Sequence, residues 1–270
     1  TSLGSDTMIG DNYRQISPFD RWVFDASGNL AGASASNRSD KEARFLTAEQ
    51  AAAVQYSTSG LTWANARANI ASLPLWTPIL ITDVGVAGKS YWYSDATNLR
   101  PLNGYVSLWR RMSSIASPLA TLTGSGAVQS FTLPDATSFP AGMLVPGISR
   151  VWAMAKVRRL GNSGASGSAV SRLGSGASAG INDNAISSQT ISATVNYDAF
   201  LDGFADIIST TSYCSFGHIP RNSTATSSYQ DRTTNFDCSG SNTSLVSIGI
   251  NASVTVDQVA LYGYEIGIYG

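Results

Sequence analysis

At 270 residues the chain is long enough for one large or two modest domains with a proper core, so folding does not depend on a disulfide framework. Only 13% of residues are charged and the formal net charge is -1, which argues against a nucleic-acid binder, whose affinity comes mainly from neutralising phosphates. No window holds the roughly 18 uninterrupted apolar residues of a membrane-spanning helix, and the first residues lack the basic-then-apolar order of a signal peptide, so cytoplasmic synthesis is expected. Cys214 and Cys238 are the only cysteines and show no CxxC spacing. Buried free thiols are the expectation, with no zinc site and no cofactor.

Residues 1–38 read as an extended arm, because Gly4, Gly10, Pro18, Gly28 and Gly32 interrupt any period. Yet Tyr13, Ile16, Phe19, Trp22, Val23 and Phe24 place sizeable apolar side chains in a segment that cannot bury them on itself. Each would contribute about 1.5–3 kcal/mol if fully buried. Two readings stay open. The arm docks on another protein, with Tyr13, Phe19, Trp22 and Phe24 as candidate anchors, or it folds back as an edge strand over 21–24. From Ser39 two capping boxes, Ser39-Asp40-Lys41-Glu42 and Thr47-Ala48-Glu49-Gln50, open short helices. The second is so rich in alanine (Ala48, Ala51, Ala52) that it suits close packing between copies in a symmetric bundle, or else a bare surface helix. Thr62 is placed to cap a third helix with the stripe Trp63, Ala66, Arg67 and Ile70, ended by Pro74.

Residues 75–104 predict a small β-meander: the apolar run Ile79–Ile81, glycines at 85 and 88, the aromatic run Tyr91-Trp92-Tyr93, and the hairpin signal Asn103-Gly104. Asp83 and Asp95 precede turns whose backbone amides they can bind, which makes a structural role the expectation for both. Trp63, Leu73-Pro74, Ile81-Thr82-Asp83-Val84-Gly85-Val86, Tyr91-Trp92, Ser94-Asp95, Leu99-Arg100-Pro101 and Asn103-Gly104 follow one another in an order that resembles a module of tailed-phage virion proteins. In tail-fibre, tail-tip and head-fibre proteins of that group, a tryptophan-led segment precedes a TDVG…W…RPxNG pattern. The likeness spans about 45 of the 270 residues, and Leu99 stands where the pattern has a second tryptophan.

The resemblance implies a structural virion protein, synthesised in the host cytoplasm and anchored by its arm to other virion proteins of tail or capsid. With the alanine-rich helix, it also implies a homotrimer. Three regions are expected: an anchoring arm with short helices over 1–60, an adaptor meander domain over 61–146 and a distal domain over 147–270. Within that frame the chain is a tail fibre or receptor-binding protein touching host surface glycan, or alternatively a head fibre or capsid decoration protein. A carbohydrate-binding module or glycan hydrolase is the reading from a different class.

The segments Tyr105–Met112, 128–133 and 148–160, bounded by Gly, Pro and Ser, have the punctuation of an antiparallel β-domain, with Trp109, Trp152 and Met154 as expected core anchors. Between Arg100 and Arg172 eight basic residues face one acid, Asp135, whereas from Asp183 onward eight acids face two bases. Such asymmetry suits attraction between domains or subunits, or an outward acidic face with an inward basic one. The near-copies over 159–167 and 172–180 read as Gly/Ser loops between strands. Residues 191–197, 245–251 and 254–269 alternate as strands, the last of them apolar on both faces. The expected fold is mainly β: an arm with short helices, a small meander, and a C-terminal antiparallel β-sandwich of jelly-roll-like kind.

Catalytic sets are sparse. His218 is the only histidine, so a His-based metal site is excluded; Ser215 and Asp237 are conceivable triad partners, but no GxSxG elbow surrounds any serine. Asp198, Asp202 and Asp206 recur at four-residue spacing without EF-hand order. No catalytic or metal-ligating residue, and no enzyme activity, is therefore expected. Tyr197, Tyr213 and Tyr229, near polar loops, offer flat rings and hydroxyls as candidate contacts for a host glycan. Deleting residues 1–38 is expected to leave a folded protein that no longer joins particles; truncated protein incorporated at normal occupancy would show that the arm is not the anchor.

Overall fold

The computed structural model describes residues 59–270 apart from 87, 124–127, 162–166, 176–183, 193–195, 218–228, 233–235 and 253–257. The arm with Tyr13, Phe19, Trp22 and Phe24, and both capping-box helices, lie outside the described residues. Helix α1 (Trp63–Ala68) starts as expected: the Thr62 hydroxyl accepts from the Asn65 amide at 3.3 Å, and the Asp83 carboxylate accepts from the Trp63 amide at 2.7 Å. Trp63 and Ala66 form its buried side. The helix ends at Asn69, and a short 3-10 turn, Ile70–Ser72, carries the chain on towards Pro74.

Strands β1 (Ile79–Ile81), β2 (Ser90–Ser94) and β3 (Leu99–Pro101) form the expected meander, an antiparallel three-stranded sheet in the order β1-β2-β3. Its inner face is set by Ile79, Ile81 and Trp92, all fully buried, with Trp92 edge-on to Trp63 at 5.0 Å. Asp95 holds the β2–β3 turn by accepting from the amides of Thr97 (3.0 Å) and Asn98 (2.7 Å). Asp83 caps α1, so both aspartates are structural, as anticipated. Asn103-Gly104 is a turn with Gly104 at φ 72°, but not a hairpin: β3 does not pair with the strand that follows.

That strand is β4 (Tyr105–Met112), followed by β5 (Ala120–Thr123), β6 (Val128–Ser130), β7 (Ser138–Phe139), β8 (Arg150–Arg159) and β9 (Gly167–Ser175). Next come β10 (Asn184–Ile191), β11 (Asp198–Ser209), β12 (Ser212–Gly217), β13 (Tyr229–Arg232), β14 (Ser244–Ala252) and β15 (Gln258–Tyr269). A seven-stranded sheet runs β13-β12-β11-β8-β15-β4, with β5 also on β15; a five-stranded sheet runs β10-β9-β14-β6, with β7 on β14. All pairings between named strands are antiparallel, and the two sheets make a β-sandwich.

Alternation with period two places the core between the sheets. Val151, Ala153, Ala155 and Val157 of β8 and Ala199, Leu201, Ala205 and Ile207 of β11 are buried on one side; Ala169 and Leu173 of β9 and Val246, Ile248 and Ile250 of β14 are buried on the other. The sheets come close where β11 carries Gly203: a Cβ there would sit 2.8 Å from the Ser187 Cβ and 2.9 Å from the Phe216 carbonyl oxygen. The Tyr213 hydroxyl donates to the Leu173 carbonyl at 3.1 Å, from one sheet to the other. Strand β15 is buried on both faces, as read from sequence, and Cys214 and Cys238 are buried free thiols.

Several expectations need correction. The ladders β4–β15 and β5–β15 cross position 147, so the sandwich begins at Tyr105 and residues 59–270 form one compact unit rather than meander and distal domains. Trp152 and Met154 are half-buried rather than core anchors, because the small residues between them take β8's inward positions; Trp109 is half-buried too, edge-on to Phe139 at 5.2 Å. Part of the second near-copy, Arg172 to Ser175, is strand β9 and not a loop, and both Arg159 and Arg172 are buried. The strand expected over 191–197 ends at Ile191, and the long strand β11 begins at Asp198.

Gly203→Ala is expected to destabilise the fold by about 1–3 kcal/mol, because the added methyl meets backbone as well as side chain. An unchanged urea midpoint would show that the sheets do not approach that closely at β11.

Candidate functional site: the outward face of the seven-stranded sheet

The residues left over by the core make the site. Along β8 the outward positions are Arg150, Trp152, Met154, Lys156 and Arg158; along β11 they are Asp198, Phe200, Asp202, Phe204 and Asp206. The register sets Asp198 opposite Arg158, Phe200 opposite Lys156, Asp202 opposite Met154, Phe204 opposite Trp152 and Asp206 opposite Arg150. Every aspartate then meets a donor. Arg158 binds Asp198 through two bonds of 2.6 and 2.7 Å, with the Lys156 ammonium at 3.7 Å. Arg150 holds Asp206 through both of its ends, and the Trp152 indole N–H donates to Asp202 at 2.7 Å. Bases of the middle stretch and acids of the final stretch thus meet strand to strand within one sheet, at Arg150–Asp206 and Arg158–Asp198. On this face acids and bases are interleaved rather than segregated into an acidic and a basic face.

On the far side of β8, Glu265 lies opposite Met154, accepts from the Tyr105 hydroxyl at 3.1 Å and has Arg110 at 3.5 Å. Tyr105 lies over Gly267, where a Cβ would be 2.5 Å from its ring. That close approach joins Tyr105, Trp152, Phe204 and Tyr269 into an aromatic cluster, with ring centroids 4.6 Å apart for Tyr105–Tyr269, 6.0 Å for Tyr105–Trp152 and 6.1 Å for Phe204–Tyr269. The Arg150 guanidinium stacks 5.4 Å from the centroid of Phe204, and the Lys156 ammonium 5.5 Å from that of Phe200. Phe200 is 47% exposed, Phe216 45% and Ile208 55%, so the face stays open to a partner. Beside the Arg150–Asp206 pair a cleft of about 500 Å3 is lined by Gly104, Gly147, Ser149, Ile208 and Tyr269.

Two groups of this face, Asp198 and Tyr105, are held by their surroundings in the charged and the neutral form respectively. The hydrogen bond from Arg158 holds the Asp198 carboxyl below its ordinary value, and Lys156 adds to it. Burial first, and then the neighbouring Glu265 carboxylate, push the Tyr105 phenol up, so it remains a donor at neutral pH. Fixed donors and acceptors around flat rings suit recognition of a polar, partly apolar surface. Among the described residues no group of His, Cys, Asp and Glu could hold a metal ion. Ser215 is buried; Asp237 is engaged in its own turn, accepting from the Ser239 amide and the Asn242 side chain, each at 2.8 Å; His218 lies outside the described residues.

The three candidate glycan tyrosines do not form one site. Tyr213 is fully buried, bonded to Leu173 and edge-on to Phe236 at 5.1 Å, because its position on β12 points between the sheets; it belongs to the core and offers no ring to a ligand. Tyr197 is half-buried just before β11, with its carbonyl accepting from the Arg159 amide at 3.0 Å. Tyr229 lies on β13 in register with Phe216. Sequence reasoning missed Phe200, Phe204 and Tyr269. The signal was present in DAFLDGFAD, where Asp and Phe alternate at every second position against Ala, Leu and Gly.

No protein-family model matches the chain, and no curated protein matches it. Among solved structures, that of infectious bursal disease virus, Gx strain, is similar at 11% identity and a TM-score of 0.16 over 61% of this chain. The chain spans 43% of the length of that one, and a likeness so slight carries no argument.

The lowered Asp198 pKa links folding to pH. As pH falls through the ordinary value of 3.8, the unfolded chain takes up the proton first, so this stabilisation is present above about pH 4 and is lost below it as the folded carboxyl titrates. Asp198→Asn is expected to make the fall of the thermal midpoint below about pH 4 shallower; identical slopes would mean that the pair with Arg158 does not contribute to acid stability.

Proposed function

We propose that the chain is a structural virion protein of a tailed phage, a tail fibre or receptor-binding protein. Its β-sandwich projects from the particle and presents the outward face of the seven-stranded sheet to the host surface. The single observation that carries this reading is that face: a broad, open array of aromatic rings and internally paired charges on a sandwich. The order Asp83-Val84-Gly85 to Asn103-Gly104 supports it further, since that segment folds as the small sheet immediately before the sandwich. Paired charges and flat rings suit a surface that must meet a polar glycan or protein in water without aggregating in its absence. Attachment through the arm, location in the virion and assembly as a homotrimer belong to the same proposal.

The test is competition for adsorption. Full-length protein is expected to block infection of host cells, and a variant carrying Phe200→Ser and Phe216→Ser to lose that block while its stability stays within about 0.5 kcal/mol, as for exposed sites generally. Absence of any block by the wild-type protein, together with its presence on purified heads, would favour the head-fibre or decoration role. Release of oligosaccharide from host polysaccharide would place the chain among glycan hydrolases instead.

A further inference from the structure

The seven-stranded sheet is not the only exposed aromatic surface. In the three-stranded sheet, period two sends Trp92 and Ser94 inward and Tyr91 and Tyr93 outward. Tyr91 is 49% exposed. Across from Tyr93 in register is Arg100, whose guanidinium is bonded to Asp95 at 2.6 Å, so an ion pair with fixed orientation borders the tyrosines. Burial raises the Asp95 pKa, but the Asn98 and Thr97 amides and Arg100 together bring it below the ordinary carboxylate value.

Above this face stands Trp76. Its backbone lies at φ 56°, a left-handed conformation that costs a non-glycine residue about 1–2 kcal/mol. Its side chain is 67% exposed, more than any other large apolar residue in the described part of the chain. The strained turn is held firmly. The Trp76 amide donates to the Ser94 carbonyl at 3.0 Å, Leu75 bridges to Ser94, and the Thr77 hydroxyl donates to the Leu75 carbonyl at 3.1 Å. The indole lies stacked on Tyr93, centroids 5.1 Å apart and planes at 29°, with its other face turned to solvent. Core packing explains neither the strain nor the exposure, since the tryptophans that build this sheet's core are Trp63 and Trp92 on the opposite side. Strain of this kind persists where the surrounding structure over-determines a residue, and it concentrates at binding sites.

We propose that the outer face of the three-stranded sheet is a carbohydrate-binding platform. A pyranose ring stacks its C–H face on the exposed side of Trp76, Tyr91 supports the neighbouring sugar, and the Arg100–Asp95 pair exchanges hydrogen bonds with hydroxyls at the rim. Three features select a sugar chain over other occupants. The most exposed side chain of the surface is the flat ring of Trp76, joined by the rings of Tyr91 and Tyr93, with aliphatic Leu80 opposite Tyr91 and exposed Leu75 and Leu102 at its edges. Tyr91 lies about 7 Å along the strand from Tyr93, on which Trp76 is stacked, so Trp76 and Tyr91 offer successive plates to successive rings and no groove for a helix. The border is a charge pair already neutralised within itself, which suits neutral hydroxyls and offers no net charge to an ionic partner.

This site is separate from the outward face of the seven-stranded sheet and does not depend on the virion assignment, so it is testable on the purified full-length chain. The probes are cellohexaose, chitohexaose and maltohexaose, titrated to about 10 mM and followed by tryptophan emission and calorimetry. At least one is expected to bind the wild-type protein. Trp76→Gly is expected to weaken it about tenfold or more while leaving the thermal midpoint unchanged or raised, because glycine relieves the left-handed strain. The Phe200→Ser, Phe216→Ser variant is expected to bind as the wild type does, which separates failure of this proposal from failure of the host-surface reading. Lack of binding by all three hexasaccharides would overturn the proposal. So would undiminished binding by Trp76→Gly, or a thermal midpoint several degrees lower in that variant, which would make Trp76 a packing residue of the turn.

Discussion

Strand β8 is the element on which the sandwich depends. It carries hydrogen-bonded neighbours on both edges, β11 over Arg150 to Arg158 and β15 over Arg150 to Arg159, so every residue from Arg150 to Arg158 is held in register twice. A slip by one residue would exchange its two faces, moving Val151, Ala153, Ala155 and Val157 out of the core and Arg150, Lys156 and Arg158 into it. The inward residues are small. With Gly203 and Ala205 beside them on β11, they let the five-stranded sheet approach closely at Ser187, and that closeness leaves little room for a larger core residue.

The same alternation makes the outward face. Arg150 and Arg158 of β8 each find an aspartate on β11 because their outward positions stand in register with Asp206 and Asp198. Pairs such as Arg158–Asp198 are partly solvent-exposed and contribute modestly to stability. Their larger effect is on the surface itself. A face with Phe200, Phe204, Phe216, Trp152 and Tyr269 exposed or half-exposed would aggregate if it were purely apolar, and the interleaved ion pairs keep it wetted while leaving the rings accessible.

The small sheet is joined to the sandwich by specific bonds rather than strung on a linker. The Trp63 indole donates to the Ala141 carbonyl at 3.0 Å, and the Val86 amide donates to the Ser107 carbonyl at 3.2 Å. Gly142, at φ 72°, lies against the Arg67 guanidinium, where a Cβ would be 2.9 Å from it. Trp63 therefore acts three ways at once: it opens the helix, packs on Trp92 and ties the module to the loop before β8. With those anchors in place, the meander can hold Trp76 in a conformation that its own turn would not favour.

The sequence by itself determined the class of the fold, the helix capped by Thr62, the meander, the turn role of Asp95, and the terminal strand buried on both faces. These follow from local signals: capping chemistry, two-residue periodicity and turn residues, all set within a few positions along the chain. That Asp83 binds the distant Trp63 amide was decided by the tertiary structure. The outcome at 172–175, where glycine and serine promised a loop and β9 formed, depended on partners far away in sequence, β10 and β14, which supply the ladder that weak strand-formers cannot supply alone. The candidate site was half legible: its alternating Asp and Phe stood in plain order, but Tyr213 pointed inward while Phe200 and Tyr269 pointed outward, and only strand pairing assigns a face. Charge was the least local property. Composition placed bases in the middle of the chain and acids towards its end, and the antiparallel registers of β8 with β11 and of β4 with β15 brought some of them together, because Coulomb attraction at hydrogen-bond range acts on distance in space and not on position along the chain.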